Sequence, residues 1–477
     1  MAERRGLTEE DRRRLVDYLL ASPENALRIH RRAPQLIDEA LRDEKLAKRV
    51  RRDPVLFSRI ALGFNPTWYQ EELLRCTSKR IVVRWPRQSG KSRALAIRSL
   101  WFAAFNPRTT TIIVGPSRRQ SIIVRDIIHG FIEDMPPKLR RVIIRKSMRT
   151  TIYFRNGSRI IALPNSEHLL RGYTAHLIVV DEAAFFLNDE TLLLNVLLPM
   201  LATTDGTMIV SSTAWGKNTL FYALNMDEGW TKIHITWRDA LEAGVYTPEF
   251  IREIQRIREE RPDIYRTEFE VEFIEEEDTW LSQDLLAKAC DGELSYRPFE
   301  SRQRGTFYIG VDLGERLDYS VVAVVDRKPN RLELVHLHRF PLGTSLASVI
   351  GYVKALRDRW SRVLSVYIDK TKHGDYIIED FHEAGVPEAE GINFTLQTKQ
   401  EMAQLMKQRM REGLLRIPYD RQLLDELNVE RYQLTKTGHI VFSHPEGTHD
   451  DRFWALALAV YAAETRRPSG IPLGRVS

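Results

Sequence analysis

Cysteine is almost missing: Cys76 and Cys290 are the only thiols in 477 residues. Two lone thiols build neither a disulfide framework nor a zinc site. No apolar run approaches the roughly 18 residues that a membrane span requires. The longest stretch, Phe453 to Ala463, is far shorter. The start, Met1-Ala2-Glu3-Arg4-Arg5, runs into charged sequence without the apolar segment of a secretory signal. Glycine and proline are unexceptional at 25 and 21 residues, and no internal repeat or low-complexity tract stands out, which excludes collagen-like and biased chains. These absences lead to the expectation of a soluble, intracellular protein without a membrane partner.

What is present suits a globular, multidomain chain. Hydrophobic residues make up 43% and charged residues 29%, enough apolar material for sizeable cores. The length is compatible with about three domains, or with two large ones. The net charge of +6 permits a polyanionic partner without requiring one. Residues 1–52 carry 14 Lys+Arg against 10 Asp+Glu, which reads as a solvated helical face.

Hydrophobic periodicity predicts a helix over 8–20, with Thr8 and Asp11 at capping spacing, and a second helical stretch over about 24–49. Strands then alternate with helices. Strands are expected at 81–83, 111–115, 151–154, 159–163, 177–180 and 208–210, with an edge at 232–236, and Asn156-Gly157 is a hairpin signal. This pattern describes a parallel sheet covered by helices. Residues 238–280 are charged and helical, and 285–305 lose periodicity. Beyond them, strands at 308–311, 321–325 and 332–336 suggest an antiparallel meander, followed by a helix at 345–360, a strand ending at Asp369 and a closing helix at 451–464. The expected organisation is a helical N-terminal extension (1–60), a P-loop, RecA/ASCE-like α/β ATPase core (61–237), a small helical lid (238–285), a linker (286–305), an RNase H-like nuclease domain (306–467) and a loose tail (468–477).

The first chemical signal lies between strand 81–84 and the following helix. Trp85-Pro86-Arg87-Gln88-Ser89-Gly90-Lys91-Ser92 departs from G-x-x-x-x-G-K-[ST] only at Trp85. Backbone N–H groups of such a loop cradle phosphates, Lys91 reaches the β/γ-phosphates, and Ser92 offers a hydroxyl to Mg²⁺. Leu177-Ile178-Val179-Val180-Asp181-Glu182 ends a buried strand with two carboxylates. Asp181 suits metal binding, and Glu182 suits orienting and deprotonating the attacking water. Ser211-Ser212-Thr213 ends the next strand, where hydroxyls can sense the γ-phosphate. Arg171, beside Gly172, can stabilise transition-state charge. Trp68, Tyr69 and Gln70 offer an aromatic face and an amide for adenine.

The second signal is a set of spaced carboxylates. Asp312 ends one predicted strand, Asp369 ends another, and Asp450-Asp451 open the final helix. Clustered carboxylates repel unless cations lie between them. Two Mg²⁺ ions about 4 Å apart would activate water and stabilise the leaving oxygen of a phosphodiester. Asp318 is a weaker fourth candidate, and His373 and Lys399 are candidate phosphate contacts.

In this order, the motifs give the chain a resemblance to the large terminase subunit of tailed bacteriophages, over about residues 60–465. That resemblance implies an ATP-driven double-stranded DNA translocase that packages a viral genome and cuts it with a two-metal endonuclease site, Mn²⁺ substituting for Mg²⁺. It implies that Arg171 is an arginine finger acting on a neighbouring subunit, that Arg87 is the phosphate-loop arginine, and that Ser211 to Thr213 are a coupling motif. It makes Asp312, Asp369, Asp450 and Asp451 the metal ligands. It further implies a ring, typically a pentamer, on the portal protein of a procapsid, a small terminase subunit as partner, and residence in the host cell cytoplasm. A cellular helicase–nuclease of DNA repair would need a second phosphate loop after residue 305, and none is there. A DNA-binding assembly protein with a vestigial nuclease is disfavoured by the intact acid set.

Overall fold

The computed structural model describes residues 7–186, 192–217, 219–260, 262–273, 279–314, 318–434, 440–444 and 448–466. The expected tail, 468–477, lies outside them. The chain divides into two compact units, Met1–Ile274 and Glu275–Ser477.

The first unit opens with helices Glu9–Ala21, Pro23–Arg32, Pro34–Ala40, Glu44–Arg52 and Pro54–Ala61. The helical stretch expected over about 24–49 is built of three helices. Proline lacks an N–H and pushes its predecessor out of the helical region, and Ala33 before Pro34 has φ −151° and ψ 61°. Asp43 then restarts the chain by accepting from the N–H of Leu46. These helices are not a detached extension. Val16, Leu19, Ile37 and Phe57 share one apolar core with Ile81, Leu95 and Ile113 of the sheet region. Asp38 accepts from the N–H groups of Lys138 and Leu139 at 3.0 and 2.8 Å, fastening the bundle to helix Pro137–Ile143.

The sheet of this unit comprises β1 (Arg80–Arg84), β2 (Thr110–Gly115), β3 (Ile144–Ser147), β4 (Thr151–Phe154), β5 (Arg159–Pro164), β6 (Leu177–Asp181), β7 (Thr207–Ser212) and β8 (Thr231–His234). Their spatial order is β3-β4-β5-β2-β6-β7-β1-β8. All neighbours from β5 to β8 pair in parallel, and β3, β4 and β5 form the antiparallel edge around Asn156-Gly157. β7 lies between β1, which feeds the phosphate loop, and β6, which carries the two acids. That inserted strand is the arrangement expected of a RecA/ASCE-like ATPase. Helices Trp237–Glu242 and Pro248–Glu260 and a π-helical turn, Tyr265–Phe269, form a small cluster around Ala240, Tyr246, Ile254, Tyr265 and Phe269.

The second unit has a seven-stranded sheet ordered β14-β13-β10-β11-β12-β15-β9. These strands are β9 (Cys290–Asp291), β10 (Phe307–Asp312), β11 (Val321–Arg327), β12 (Leu332–Arg339), β13 (Val363–Asp369), β14 (Ala389–Ile392) and β15 (Leu415–Pro418). β10, β11 and β12 are the expected antiparallel meander. The segment 286–305 differs from the expected linker: its first residues finish helix Gln283–Ala289, and Cys290-Asp291 then adds an edge strand beside β15. A two-residue strand has no periodicity to read, and only its pairing reveals it. A separate hairpin joins β16 (Arg431–Leu434) and β17 (Ile440–Ser443). The final helix, Asp451–Thr465, is buried along nearly its whole length. It lies directly on β10, where a Cβ added to Gly310 would stand 2.2 Å from the Ala455 carbonyl oxygen. Among the described residues, no helix is long and apolar enough to cross a membrane.

Candidate functional site

In the first unit, β1 ends in the phosphate loop and helix Lys91–Phe105 starts immediately after it. Trp85, at the position where glycine was expected, is fully buried, its ring edge-on to Tyr69 at 4.9 Å. The large ring is therefore part of the apolar core of this unit, not of its exposed surface. Gly90 adopts φ +84°, and a Cβ there would stand 2.4 Å from Gln70 Nε2. Tyr69 Oη donates to the carbonyl of Ser89 at 2.8 Å, Gln70 Nε2 donates to that of Gly90 at 3.1 Å, and Ser89 Oγ donates to that of Pro86 at 2.8 Å.

These contacts correct the adenine reading of two residues. Tyr69 is fully buried, and Gln70 accepts from the Thr67 N–H at 3.0 Å while donating to the loop, so both side chains brace the loop. Trp68, 50% exposed, keeps the open aromatic face.

The acids stand opposite the loop. Ser92 Oγ is 3.4 Å from an Asp181 oxygen, and Lys91 Nζ is 3.4 Å from Glu182 Oε1. Burial raises the Asp181 carboxyl above its ordinary range, against the attraction of Lys91 and the hydrogen bond from Ser211. Glu182 has φ +56°, an uncommon conformation for a non-glycine residue. The Ser-Ser-Thr run is spent one hydroxyl per carboxylate. Ser211 Oγ donates to Asp181 at 2.8 Å, Ser212 Oγ to Glu182 at 3.4 Å and Thr213 Oγ1 to Glu268 at 3.5 Å. Glu268 also faces Arg87 at 3.5 Å, and Tyr246 Oη donates to the Arg87 carbonyl at 2.6 Å. The sequence reading missed Glu268 and Tyr246; the only local signal is an acid and an aromatic within a charged helical segment. Gln88 has φ +59° and is exposed, as Arg87 is. Arg171 is exposed in the turn after helix Glu167–Leu170.

In the second unit, β10 and β13 pair in parallel with Val311 beside Ile368, so Asp312 and Asp369 emerge together at the strand ends. The close fit of the final helix over Gly310 brings Asp451 to the same place. Burial raises the Asp312 carboxyl well above its ordinary range, reinforced by Asp451, Asp369 and Asp450. The Asp451 carboxyl is pushed up to about 7 by burial and by Glu426, Asp450 and Asp318. Asp451 Oδ2 is buried without a hydrogen-bond partner. An orphaned oxygen among mutually repelling carboxylates is the donor set that hard divalent cations satisfy, so the residues fit a metal centre.

Asp450, whose charge also acts on Asp312, has partners of its own. It accepts from Trp454 Nε1 at 2.6 Å and lies 3.3 Å from His444 Nδ1. Asp318 is exposed and paired with Lys372 at 2.8 Å. Lys399 lies over the Trp454 ring at 4.4 Å and helps to offset the acid cluster. His373 has a buried Nε2 without a hydrogen-bond partner. Glu426 was also missed: buried, it accepts from the Arg452 N–H and pairs with that guanidinium, locking the start of the final helix.

Two family models match the chain in succession. The family described as terminase large subunit, T4likevirus-type, N-terminal, matches residues 84–288, and that described as terminase RNaseH-like domain matches residues 309–463. The terminase large subunits of Thermus virus P23-45 and Thermus phage G20c are each 25% identical over 461 residues, covering 83% of this chain and 87% of theirs. The crystal structure of the large terminase nuclease from phage G20c is 26% identical, covers 39% of this chain and 98% of that one, and has a TM-score of 0.34. With matches to both halves, in order, the chain belongs to the terminase large-subunit family.

Proposed function

We infer that this protein is the ATP-hydrolysing, DNA-cutting motor subunit of viral genome packaging. The observation that carries the reading is the pairing, in one chain, of a phosphate loop facing two acids and a carboxylate cluster at the end of a second sheet. In the first unit the loop amides and Lys91 bind the phosphates, and Ser92 with Asp181 holds Mg²⁺. Glu182 accepts the proton of the attacking water at a carboxylate oxygen. Trp68 covers the base. Arg171 completes the site of a neighbouring subunit, a role its exposed position suits.

In the second unit Asp312, Asp369 and Asp451 hold two Mg²⁺ ions, or Mn²⁺ in their place, with Asp450 as their neighbour. When bound, the cations supply an activated water and neutralise charge at the leaving oxygen. Asp312, beside both Asp369 and Asp451, would be the most central of these metal-holding residues. The protein works on double-stranded DNA in the host cell cytoplasm, as a ring, a pentamer by our reading, on the portal of a procapsid and with a small terminase subunit.

The test is a packaging reaction with portal-bearing procapsids, ATP and linear DNA, scored as nuclease-protected DNA. Protection with the wild-type chain and none with Lys91→Ala supports the reading. Protection that persists without ATP hydrolysis overturns it.

A further inference from the structure

Helix Leu396–Arg411 carries Lys399, Ala403, Lys407 and Arg411 at four-residue intervals, so they form a ridge along one face. Two of its cations rest on buried indoles. Lys399 Nζ lies 4.4 Å from the centre of the Trp454 ring, and Lys407 Nζ lies 4.2 Å from that of Trp280. Phe442 of β17 stands edge-on to Trp280 at 5.0 Å and to Trp454 at 5.6 Å, so the three rings make an aromatic row beneath the lysines. Trp280 Nε1 donates to the Ala403 carbonyl at 3.1 Å and fastens that row to the helix between them. Contact with a ring face holds an ammonium in place without neutralising it. Among the described residues, Lys399, Lys407 and Arg411 form no salt bridge, whereas Lys288 is paired with Asp284 at 2.6 Å.

Lys399 acts electrostatically on Asp312 and Asp450, so the ridge begins at the nuclease cluster. At a helical rise of about 1.5 Å per residue, Arg411 lies about 18 Å further along. There Lys407 and Arg411 line an open cavity of about 390 Å³, together with Trp280, Ser282 and Lys288. Burial, and then Arg411, lower the pKa of the Lys407 ammonium, a cost that a bound anion would relieve.

We propose that this ridge is a docking track for the phosphate backbone of one DNA strand, leading from the nuclease centre to the cavity at Lys407 and Arg411. The proposal rests on the nuclease reading above and adds where the substrate strand runs. Charge and spacing identify the partner. A row of fixed cations that the protein does not neutralise matches a regularly repeating anion, and about 18 Å spans roughly five nucleotide steps of a DNA strand. The two indoles are covered by the lysines and offer no open face to a base, so the track reads phosphate and not sequence.

The test measures binding of a labelled DNA duplex to the full-length Asp312→Ala chain by fluorescence anisotropy, over a series of KCl concentrations. Adding Lys407→Ala or Arg411→Ala should each weaken binding about three- to tenfold and reduce the slope of log affinity against log salt by about 0.9, the contribution of one phosphate contact. The weakening should be equal on duplexes of unrelated sequence, and Lys407→Arg should restore it. With Asp312 intact, both alanine variants should lose plasmid cleavage mainly through a raised KM. Arg411 is exposed, and thermal melting checks the fold of the Lys407→Ala chain. Wild-type affinity and salt slope in folded Lys407→Ala and Arg411→Ala chains overturn the track alone and leave the nuclease reading intact. ATP binding that survives Lys91→Ala and disappears with Lys407→Ala makes the cavity a nucleotide site and also overturns it. An Asp312→Ala chain that binds no DNA overturns the nuclease reading and the track together.

Discussion

Glu268 holds Arg87 of the phosphate loop twice. Its backbone carbonyl accepts from the Arg87 N–H at 3.1 Å, and its carboxylate lies 3.5 Å from the Arg87 Nε. The same carboxylate meets Thr213 Oγ1, so one residue on a π-helical turn contacts both the loop and the strand-end hydroxyls. Glu268→Ala should lower ATP turnover by at least about tenfold while nucleotide affinity changes only a few-fold, because a lost positioning contact acts mainly on the transition state. Steady-state hydrolysis beside equilibrium binding of a fluorescent nucleotide checks this. Equal losses in both would make Glu268 a plain structural residue.

Glu182→Gln should retain nucleotide and lose hydrolysis by about 10²–10⁴-fold, the usual contribution of a general base. The amide keeps the shape and can still meet Ser212, but it cannot take a proton. Lys91→Ala, the other half of this 3.4 Å pair, should abolish hydrolysis while leaving cleavage of naked DNA intact. Turnover at the wild-type rate in either variant would remove that residue from the site.

Arg171→Ala should bind ATP nearly normally and fail to hydrolyse it in the assembled ring. In rings mixed with Lys91→Ala, activity should reappear at interfaces that pair an intact Arg171 with an intact Lys91. Mixed rings with no activity beyond that of either variant's own rings would place the arginine's action within its own subunit.

Asp312→Ala should eliminate plasmid cleavage with Mg²⁺ or Mn²⁺ and spare ATP hydrolysis. Asp369→Ala should be nearly as severe. Asp318→Ala should be milder, because that carboxylate is exposed and already paired with Lys372. Wild-type cleavage that survives a chelator would refute metal dependence.

Gly310→Ala should destabilise the second unit by about 1–3 kcal/mol or more, because a methyl cannot fit between β10 and the helix above it. Chemical denaturation should show the loss. Cleavage should fall as well, since that close approach brings Asp451 towards Asp312. An unchanged denaturation midpoint would mean that the helix can shift freely.

Much of this protein is legible in its sequence because the signals are local. A strand, a loop ending Gly90-Lys91-Ser92 and a helix are contiguous, and backbone geometry alone turns them into an anion cradle. Asp181, Asp312 and Asp369 could be read as strand-end acids because each closes an apolar run. Tertiary structure decided what those runs could not carry, the partners. Tyr69 and Gln70 lie under the phosphate loop only because helix Trp68–Arg75 packs there. Asp450 and Asp451, adjacent in sequence, diverge towards His444 and Asp312 because successive residues at a helix start project in different directions. Glu268 and Glu426 look like ordinary charged residues in the chain. Burial gives each its significance, and burial depends on contacts made across long sequence separations.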